Sequence, residues 1–340
     1  MRRRGTWCVL LVATQALLCA VSAPAETSHR LLEATVEQLL DLEVRPFAIG
    51  HRGFGATPGT NPSRPIEDTV AAVRNGFRAG LSVVEVDVQV TRDGEVAVYH
   101  DDVLSDLTCV NRLTFPELRA RLRDVPVPTL RAVLHEARKF NDDEGPLRGF
   151  VIVELKAAAP RCDPLDSQEH VIVSAIVRAV RDAGMSRQVL LTSFSPALLF
   201  LASQEAPEIT RILSVSGLMF LSPEKVAAYF HEPVTLIHKN LALGLQWAEI
   251  GLDLRLPGYG SIGDVLTTAA ITSARVVEAD LYLLEPFGIP FVAALHAFGL
   301  KVFGFTATTP AEWNLLESLD VDGIYTDDIP FGVKHQALIP

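Results

Sequence analysis

Carboxylate side chains lie inside strand-like runs of this sequence, where they could bind a metal ion. Glu85 and Asp87 are two residues apart in the run Val83–Val90, so both side chains point to the same face of a strand. Glu154 lies near the end of another apolar run. Unpaired carboxylates are costly in such surroundings, whereas Ca²⁺ and Mg²⁺ are hard cations that prefer oxygen ligands. The pattern predicts one divalent metal ion, Ca²⁺ or Mg²⁺, bound by Glu85, Asp87 and Glu154.

Two histidines and two basic residues also lie at or just after the ends of strand-like runs. His51 and Arg52 follow a strand-like run, His100 follows a short one, and Lys156 lies two residues after Glu154. Because histidine titrates near neutral pH, His51 and His100 can act as a general acid and a general base. Arg52 and Lys156 can hold an anion. Together with a divalent cation, this set of residues suits the cleavage of a phosphodiester.

One structural alternative for the carboxylates stays open. Glu85 and Asp87 could pair with Arg52 and Lys156 in a salt-bridge cluster that holds no metal ion.

Strand-like runs alternate with helix-like runs over most of the chain. The candidate strands are Phe47–Gly50, Val83–Val90, Glu95–Tyr99, Val151–Leu155, Val189–Thr192, Ile209–Val215, Val276–Tyr282, Val302–Thr306 and Gly323–Tyr325. Helix-like stretches between them include Asp68–Ala79, His170–Ala183 and Phe291–Phe298. Such alternation indicates βαβ units and a parallel sheet, and a strand count near eight favours a closed (β/α)8 TIM barrel. The residues above then fall at the C-terminal ends of strands, where barrels carry their functional groups.

Three parts of the sequence depart from regular alternation. Residues His29–Leu42 have apolar side chains at helical spacing and predict an amphipathic N-terminal helix. The turn Thr91–Gly94 joins two strands directly, so Val83–Tyr99 is predicted to form a hairpin-like excursion. Residues 216–272 have no clear period, and we interpret them as an elaborated loop, lid or subdomain.

The composition excludes two broad classes of protein. The chain is 49% hydrophobic and 21% charged, so it is not intrinsically disordered. Its formal net charge of −11 argues against a nucleic-acid partner, because phosphate contacts need clustered Lys and Arg. Any phosphate that the protein binds must therefore be held by a local group of cations.

The N-terminus has the pattern of a secretory signal peptide. Arg2–Arg4 precede an apolar run over residues 7–21 and a small-residue cleavage motif at Ala23–Ala25. The run is shorter than the roughly 20 residues that a membrane span needs, and no later stretch is long enough, so a retained membrane anchor is the less favoured alternative. We predict a signal peptide over residues 1–25, one domain over 26–340, and a secreted or lumenal protein.

Two of the four cysteines lie outside the predicted signal peptide. Cys109 follows His100 by nine residues, and Cys162 follows Glu154 by eight. Both cysteines are therefore expected in loops on the same rim of the barrel, in a chain that enters an oxidising compartment. A disulfide between them is predicted, and the alternative is two buried thiols.

Short motifs follow one another in a fixed order along the chain. They are His51-Arg52-Gly53, Glu67-Asp68-Thr69, Glu85-Val86-Asp87, Thr91-Arg92-Asp93-Gly94, His100-Asp101, Val127-Pro128-Thr129-Leu130, Glu154-Leu155-Lys156, Ser193-Phe194 and Asp322-Gly323-Ile324-Tyr325-Thr326-Asp327. This order resembles the glycerophosphodiester phosphodiesterase family over nearly all of residues 46–330. The resemblance implies a TIM barrel, the same metal ligands, acid/base pair and phosphate-binding cations as above, and Glu67 as a supporting carboxylate.

The resemblance also implies a reaction. A free hydroxyl of the substrate attacks phosphorus, and water then opens the cyclic phosphate, which gives glycerol 3-phosphate and an alcohol. The alternative within the same chemistry is lysophospholipase D or phospholipase C-like cleavage of a lipid headgroup. The alternative from another class is a catalytically silent barrel used for binding.

The chain departs from the family pattern at three places. Eleven residues separate Gly55 from Glu67, which is a long loop for the family. Asp68 stands where the family often has Asn. The family also often has Trp-Thr-x-Asn near the seventh strand, whereas this chain has Phe305-Thr306-Ala307-Thr308. These departures affect the expected substrate pocket and remove none of the proposed ligands.

Overall fold

The computed structural model describes residues 34–42, 45–141, 148–159, 161–220 and 258–327. The predicted signal peptide and the first part of the predicted N-terminal helix lie outside these residues. So does most of the elaborated segment, from residue 221 to residue 257.

Eight parallel strands close into a barrel in the described part of the chain. The parallel strands are β1 Phe47–Gly50, β2 Val83–Val90, β4 Phe150–Leu155, β5 Val189–Ser193, β6 Thr210–Val215, β7 Val276–Asp280, β8 Lys301–Ala307 and β9 Gly323–Thr326. Their order is β1-β9-β8-β7-β6-β5-β4-β2, and pairing of β1 with β2 closes the barrel. The predicted (β/α)8 fold is confirmed.

Strand β3, Val96–Val98, lies outside the parallel barrel order. It pairs antiparallel with β2, with Val88 opposite Val98. The predicted hairpin-like excursion is therefore confirmed. Its effect is to return the chain beside the C-terminal half of β2, so that the residues after β3 begin near that end of the barrel.

Helices connect most of the strands. They are α1 Val36–Leu40, α2 Val70–Arg78, α3 Phe115–Arg121, α4 Leu130–Arg138, α5 Glu169–Asp182, α6 Pro196–Glu205, α7 Ile262–Thr272, α8 Leu281–Ala297 and α9 Pro310–Ser318. Several begin at a Thr or Ser whose hydroxyl accepts a backbone N–H of the first turn, as Thr69 does from Ala72 at 3.1 Å. No helix in the described ranges is both long and apolar enough to cross a membrane.

The boundary between β7 and α8 differs from the prediction. The run Val276–Tyr282 was expected to be one strand, but the strand ends at Asp280. The carboxylate of Asp280 accepts the backbone N–H of Leu283 at 2.9 Å and begins the helix there. The apolar residues Leu281 and Tyr282 after Asp280 do not by themselves show whether the strand continues or a buried helix begins.

Helix α8 is longer than the predicted helix Phe291–Phe298. It contains Pro286 and Pro290, and the left-handed Gly288 (φ 44°) kinks it. These residues interrupt the helical period of the sequence, so only the second half of the helix was predicted.

The elaborated segment ends in regular structure. Helix α7 occupies its last eleven residues, and Asp264 accepts the backbone N–H of Ser261 at 2.9 Å at the start of that helix. This helix connects β6 and β7, as the barrel requires. The described residues of the segment therefore include a standard barrel element.

Alternation along the strands divides the barrel interior into two layers. Near the N-terminal ends of the strands the inward-facing residues are apolar and pack together, among them Val83, Ile152 and Val276. Further along the same strands the same face carries Glu85, Glu154 and Glu278, followed by Asp87, Lys156 and Asp280. The apolar layer fills one half of the barrel, and the ionisable side chains are collected at the C-terminal rim.

Candidate active site

Three carboxylates meet at this rim. Asp87 on β2 and Glu154 on β4 are directly paired in the sheet register, and Glu85 lies on the same face of β2. One oxygen from each of these carboxylates lies within 4.8 Å of the others. Glu85 and Asp87 are buried, and Glu154 is nearly so. The sheet register therefore assembles the predicted ligand set.

Two cations lie against these carboxylates. Lys156 Nζ lies 2.9 Å from Asp87 Oδ1 and 2.7 Å from Glu154 Oε1. Arg52 Nε lies 3.3 Å from Asp87 Oδ2. Asp87 therefore forms the ion pairs that the salt-bridge alternative predicts. Glu85 does not, because one of its oxygens accepts the backbone N–H of Arg52 at 2.9 Å and Oε1 has no hydrogen-bond partner within the described residues.

Burial and charge separate the pKa values of the three carboxyls. Burial raises the pKa of Glu85 well above its ordinary value, and the charge of Asp87 adds to this. Burial also raises the pKa of Glu154 to about 8, although Lys156 opposes the effect. For Asp87 the burial is outweighed by Lys156 and other cations, which hold its pKa well below the ordinary value. The negative charge is therefore only partly compensated by the chain's own cations.

The carboxylate cluster fits a hard divalent cation. Its donor atoms are all oxygens, and Oε1 of Glu85 is buried with no hydrogen-bond partner in the described part of the chain. Ca²⁺ and Mg²⁺ bind such donors. The salt bridges of Asp87 do not involve this oxygen of Glu85, which stays available to a cation.

Each predicted catalytic histidine is held by a carboxylate. His51 Nδ1 lies 3.0 Å from Asp327 Oδ1, and His100 Nδ1 lies 2.7 Å from Asp101 Oδ1. These bonds fix the imidazole rings and leave the Nε2 atoms to other partners. Burial lowers the pKa of His100, and the nearby Lys156 lowers it further.

A left-handed turn places Arg52 at the rim. Arg52, Gly53 and Phe54 follow β1 with φ angles of 48°, 74° and 69°. This turn aims the Arg52 backbone N–H at Glu85. A Cβ atom on Gly53 would lie 3.0 Å from the backbone nitrogen of Val73 on α2, so glycine suits both the φ angle and the close approach.

Glu67 and Asp68 support this turn from the following loop. Glu67 Oε1 lies 3.1 Å from Arg52 Nη1, and its other oxygen accepts the Thr57 hydroxyl at 3.0 Å. Asp68 accepts the backbone N–H of Asp87 at 3.1 Å and donates its own N–H to the carbonyl of Arg52. Asp68 therefore ties the turn to β2, a contact that the sequence did not reveal.

Most of the predicted site residues line one cavity of about 690 Å³. The predicted residues in its wall are His51, Arg52, Glu85, His100, Glu154 and Lys156. Asp87 and Glu67 lie behind this wall, where they contact Arg52. Phe194, Phe305 and Glu278 also line the cavity.

Glu278 is a buried carboxylate of the cavity that the sequence analysis missed. Its oxygens accept the hydroxyls of Thr192 at 2.7 Å, Ser214 at 2.5 Å and Tyr325. Burial raises its pKa, and these hydroxyls oppose the effect. Glu278-Ala279-Asp280 repeats the Glu-x-Asp spacing of Glu85 and Asp87, so the signal was present in the sequence. Its three hydroxyl partners distinguish it from the metal-type cluster.

Two links join the loops that follow β3 and β4. A disulfide connects Cys109 and Cys162. Close to it, a buried carboxylate oxygen of Asp102 accepts the backbone N–H of Ala159 at 2.8 Å. Because Asp102 is two residues after His100, these links brace the loop that carries this histidine against the loop after Glu154.

Comparison with known proteins agrees with this geometry. The model of the Glycerophosphoryl diester phosphodiesterase family matches residues 51–330. The chain is 27% identical to the uncharacterized protein YqiK of Bacillus subtilis over 176 residues, which are 48% of this chain and 66% of that protein. It is 31% identical to mouse glycerophosphodiester phosphodiesterase 1 over 149 residues, 39% of this chain and 41% of that protein.

The fold is also similar to that of a solved phosphodiesterase. The structure of an Oleispira antarctica phosphodiesterase in complex with the product sn-glycerol-3-phosphate aligns with a TM-score of 0.57 and 20% identity, covering 86% of this chain and 96% of that one. The same family assignment is supported by the strand order of the barrel, by the carboxylate cluster at its rim and by the family match over residues 51–330. The chain belongs to the glycerophosphoryl diester phosphodiesterase family, whose members are phosphoric diester hydrolases.

Proposed function

We propose that this protein is a metal-dependent phosphodiesterase that hydrolyses glycerophosphodiesters to glycerol 3-phosphate and an alcohol. The observation that carries the proposal is one cavity lined by Glu85 and Glu154 of the carboxylate cluster, by two cations and by two carboxylate-held histidines, with Asp87 directly behind its wall. The name of the mouse relative and the product in the Oleispira structure support the choice of substrate.

Glu85, Asp87 and Glu154 would hold one Ca²⁺ or Mg²⁺ ion. When bound, such an ion offsets negative charge on phosphate oxygens. Arg52 and Lys156 lie beside the same carboxylates and would contact the phosphate from the protein side. Both side chains stay protonated, since burial would lower the pKa of each but the surrounding carboxylates raise it.

His51 and His100 would divide the proton transfers. In the first step a substrate hydroxyl attacks phosphorus, so that a new P–O bond forms and the bond to the leaving alcohol breaks. One imidazole takes the proton of the attacking hydroxyl at Nε2, and the other gives a proton to the leaving oxygen. In the second step water opens the cyclic phosphate, and the same two groups exchange roles. Asp327 and Asp101 hold the opposite ring nitrogens throughout.

An assay with a chelator tests this function. Purified protein is incubated with glycerophosphocholine, with and without EDTA, and glycerol 3-phosphate is measured. We expect turnover that EDTA abolishes and that added Ca²⁺ or Mg²⁺ restores. Absence of metal-dependent turnover on any glycerophosphodiester would favour the catalytically silent barrel.

A second candidate substrate is a lysophospholipid, which would make the enzyme a lysophospholipase D or phospholipase C-like enzyme. Leu218, Leu281 and Leu315 line the cavity. Tyr282 also lines it and is 45% exposed, and Phe287 is 53% exposed. Apolar side chains of this kind could contact an acyl chain. Parallel assays with glycerophosphocholine and lysophosphatidylcholine separate the two substrates, and turnover of the lipid alone would refute the first proposal.

We also propose that the protein is secreted or lumenal after removal of residues 1–25. The signal-like sequence and the disulfide between Cys109 and Cys162 support this location. N-terminal sequencing of protein recovered from the medium or the lumen should find Glu26 as the first residue. Material that still begins at Met1 and sediments with membranes would favour the anchor.

A further inference from the structure

The long loop between Gly55 and Glu67 is pinned to the barrel by one arginine. Arg64 Nη1 donates to the backbone carbonyl of Asp327 at 2.6 Å, and Nη2 donates to the carbonyl of Phe54 at 3.2 Å. The guanidinium also stacks over the Phe54 ring, 5.3 Å from its centroid. Arg64 thus joins the chain after β1 to the end of β9.

The residue that Arg64 holds is the partner of a proposed catalytic histidine. Asp327 follows the last residue of β9, and its carboxylate lies 3.0 Å from His51 Nδ1. The side chain of Asp327 is 43% exposed, so packing alone does not fix it. A charge-assisted hydrogen bond to its backbone restricts where the carboxylate can lie.

We propose that Arg64 is a positioning residue for acid/base catalysis, which acts on His51 by fixing Asp327. This inference rests on the proposed phosphodiesterase function. Arg64 does not line the cavity, so a direct contact with the substrate phosphate is not its role. Neither Arg64 nor its loop is part of the motif set that identifies the family.

The expected effect follows from the geometry of proton transfer. A general base must keep its nitrogen at hydrogen-bond distance from the proton that it removes, and small displacements lower the rate steeply. When Arg64 is lost, the carbonyl of Phe54 still accepts the side-chain amide of Asn75 at 3.2 Å, and Arg52 keeps its contacts with Glu67, Glu85 and Asp87. The turnover number should therefore fall while substrate binding is preserved.

The test compares Arg64→Gln and Arg64→Lys with the matched control Ser63→Ala. Ser63 donates to Asn61 within the same loop and is not bonded to Asp327 in the described structure. On glycerophosphocholine we expect Arg64→Gln to lower kcat by about tenfold to a hundredfold with KM within about twofold. Arg64→Lys, which keeps the charge but can reach fewer carbonyls, should recover part of this loss. Ser63→Ala should match the wild type.

A double-mutant cycle distinguishes positioning from a general structural role. In an Asp327→Asn background, Arg64→Gln should lower kcat little further, because both changes act on the same histidine. Fully additive losses would overturn the proposal, and so would an unchanged kcat or a rise in KM alone. A loss of kcat that only parallels loss of folded protein, measured by thermal denaturation, would also overturn it.

The two proposals fail in different ways. A wild-type protein with no phosphodiesterase activity refutes the proposed function and this inference with it. An active wild type whose Arg64→Gln variant keeps full kcat refutes the role of Arg64 and leaves the proposed function standing.

Discussion

Asp87 and Glu154 are register partners on adjacent parallel strands, and Lys156 Nζ lies within 3 Å of an oxygen of each. Their ionisation nevertheless differs. Cations hold the pKa of buried Asp87 well below its ordinary value, whereas burial raises the pKa of Glu154 to about 8. Lys156 and Arg52 both lie against Asp87, whereas Lys156 is the cation that lies against Glu154 among the described contacts.

The first prediction concerns metal binding. Glu154→Gln and Glu85→Gln should each weaken Ca²⁺ or Mg²⁺ binding by about tenfold or more, because each removes a charged oxygen ligand. Isothermal titration calorimetry on the free protein measures this without any substrate. Glu285→Gln is a matched control, since Glu285 lines the same cavity outside the carboxylate cluster. Equal affinity in all variants would support the salt-bridge interpretation.

The second prediction concerns the histidines. His51→Gln and His100→Gln should each lower kcat by about a hundredfold to ten-thousandfold, the usual effect of losing a general acid or base. The affinity for the metal ion should change little, because neither imidazole belongs to the carboxylate cluster. His135→Gln is the control, as His135 is exposed on α4. Retention of wild-type kcat by either of the first two variants would remove that histidine from the mechanism.

The sequence was sufficient to predict the fold and the ionisable residues on one part of the cavity wall, but not Glu278. Alternation by two along a strand put Glu85 with Asp87, and Glu154 with Lys156, on common faces, and the barrel architecture brought those faces together. Side-chain alternation is a local rule, and the barrel architecture is a topological one. Neither depends on which loops contact each other in the folded protein.

The contacts that position His51 could not be predicted in the same way. Asp327 lies 276 residues from His51, and Arg64 lies 263 residues from Asp327. Such pairs depend on loop paths beyond the strand ends, which no periodicity encodes. The β7–α8 boundary was missed for a different reason, because the helix cap at Asp280 is followed directly by Leu281 and Tyr282, which continue the strand-like pattern.

The third prediction concerns stability at acid pH. Glu136 on α4 lies 2.6 Å from Arg74 of α2 and 2.8 Å from Lys139. The hydrogen bond from Arg74, with a smaller contribution from Lys139, lowers the pKa of Glu136 from 4.5 to about 2. Since the folded-state pKa lies below the unfolded one, the ionised carboxylate stabilises the fold above about pH 4.5, and this contribution is lost as the pH falls toward 2.

Glu136→Gln should therefore lower the free energy of unfolding near neutral pH by about 1 kcal/mol, a modest value because solvent screens the partly exposed Arg74 and Lys139. The difference in the free energy of unfolding between the wild type and Glu136→Gln should become smaller below pH 4.5. Urea unfolding at several pH values measures it. A gap that is constant with pH would mean that the Glu136 pKa is not depressed.

The fourth prediction concerns the disulfide. The bridge between Cys109 and Cys162 closes a loop with a sequence separation of 53. Replacing both cysteines with serine should lower the free energy of unfolding by about 4 kcal/mol, because the unfolded chain regains the freedom of that loop. Dithiothreitol should destabilise the wild type and leave the double variant unchanged. The double variant is therefore the control for effects of dithiothreitol other than reduction of the bridge. Two free thiols in the non-reduced, unfolded mature protein would contradict the bridge, and they can be counted with a thiol reagent.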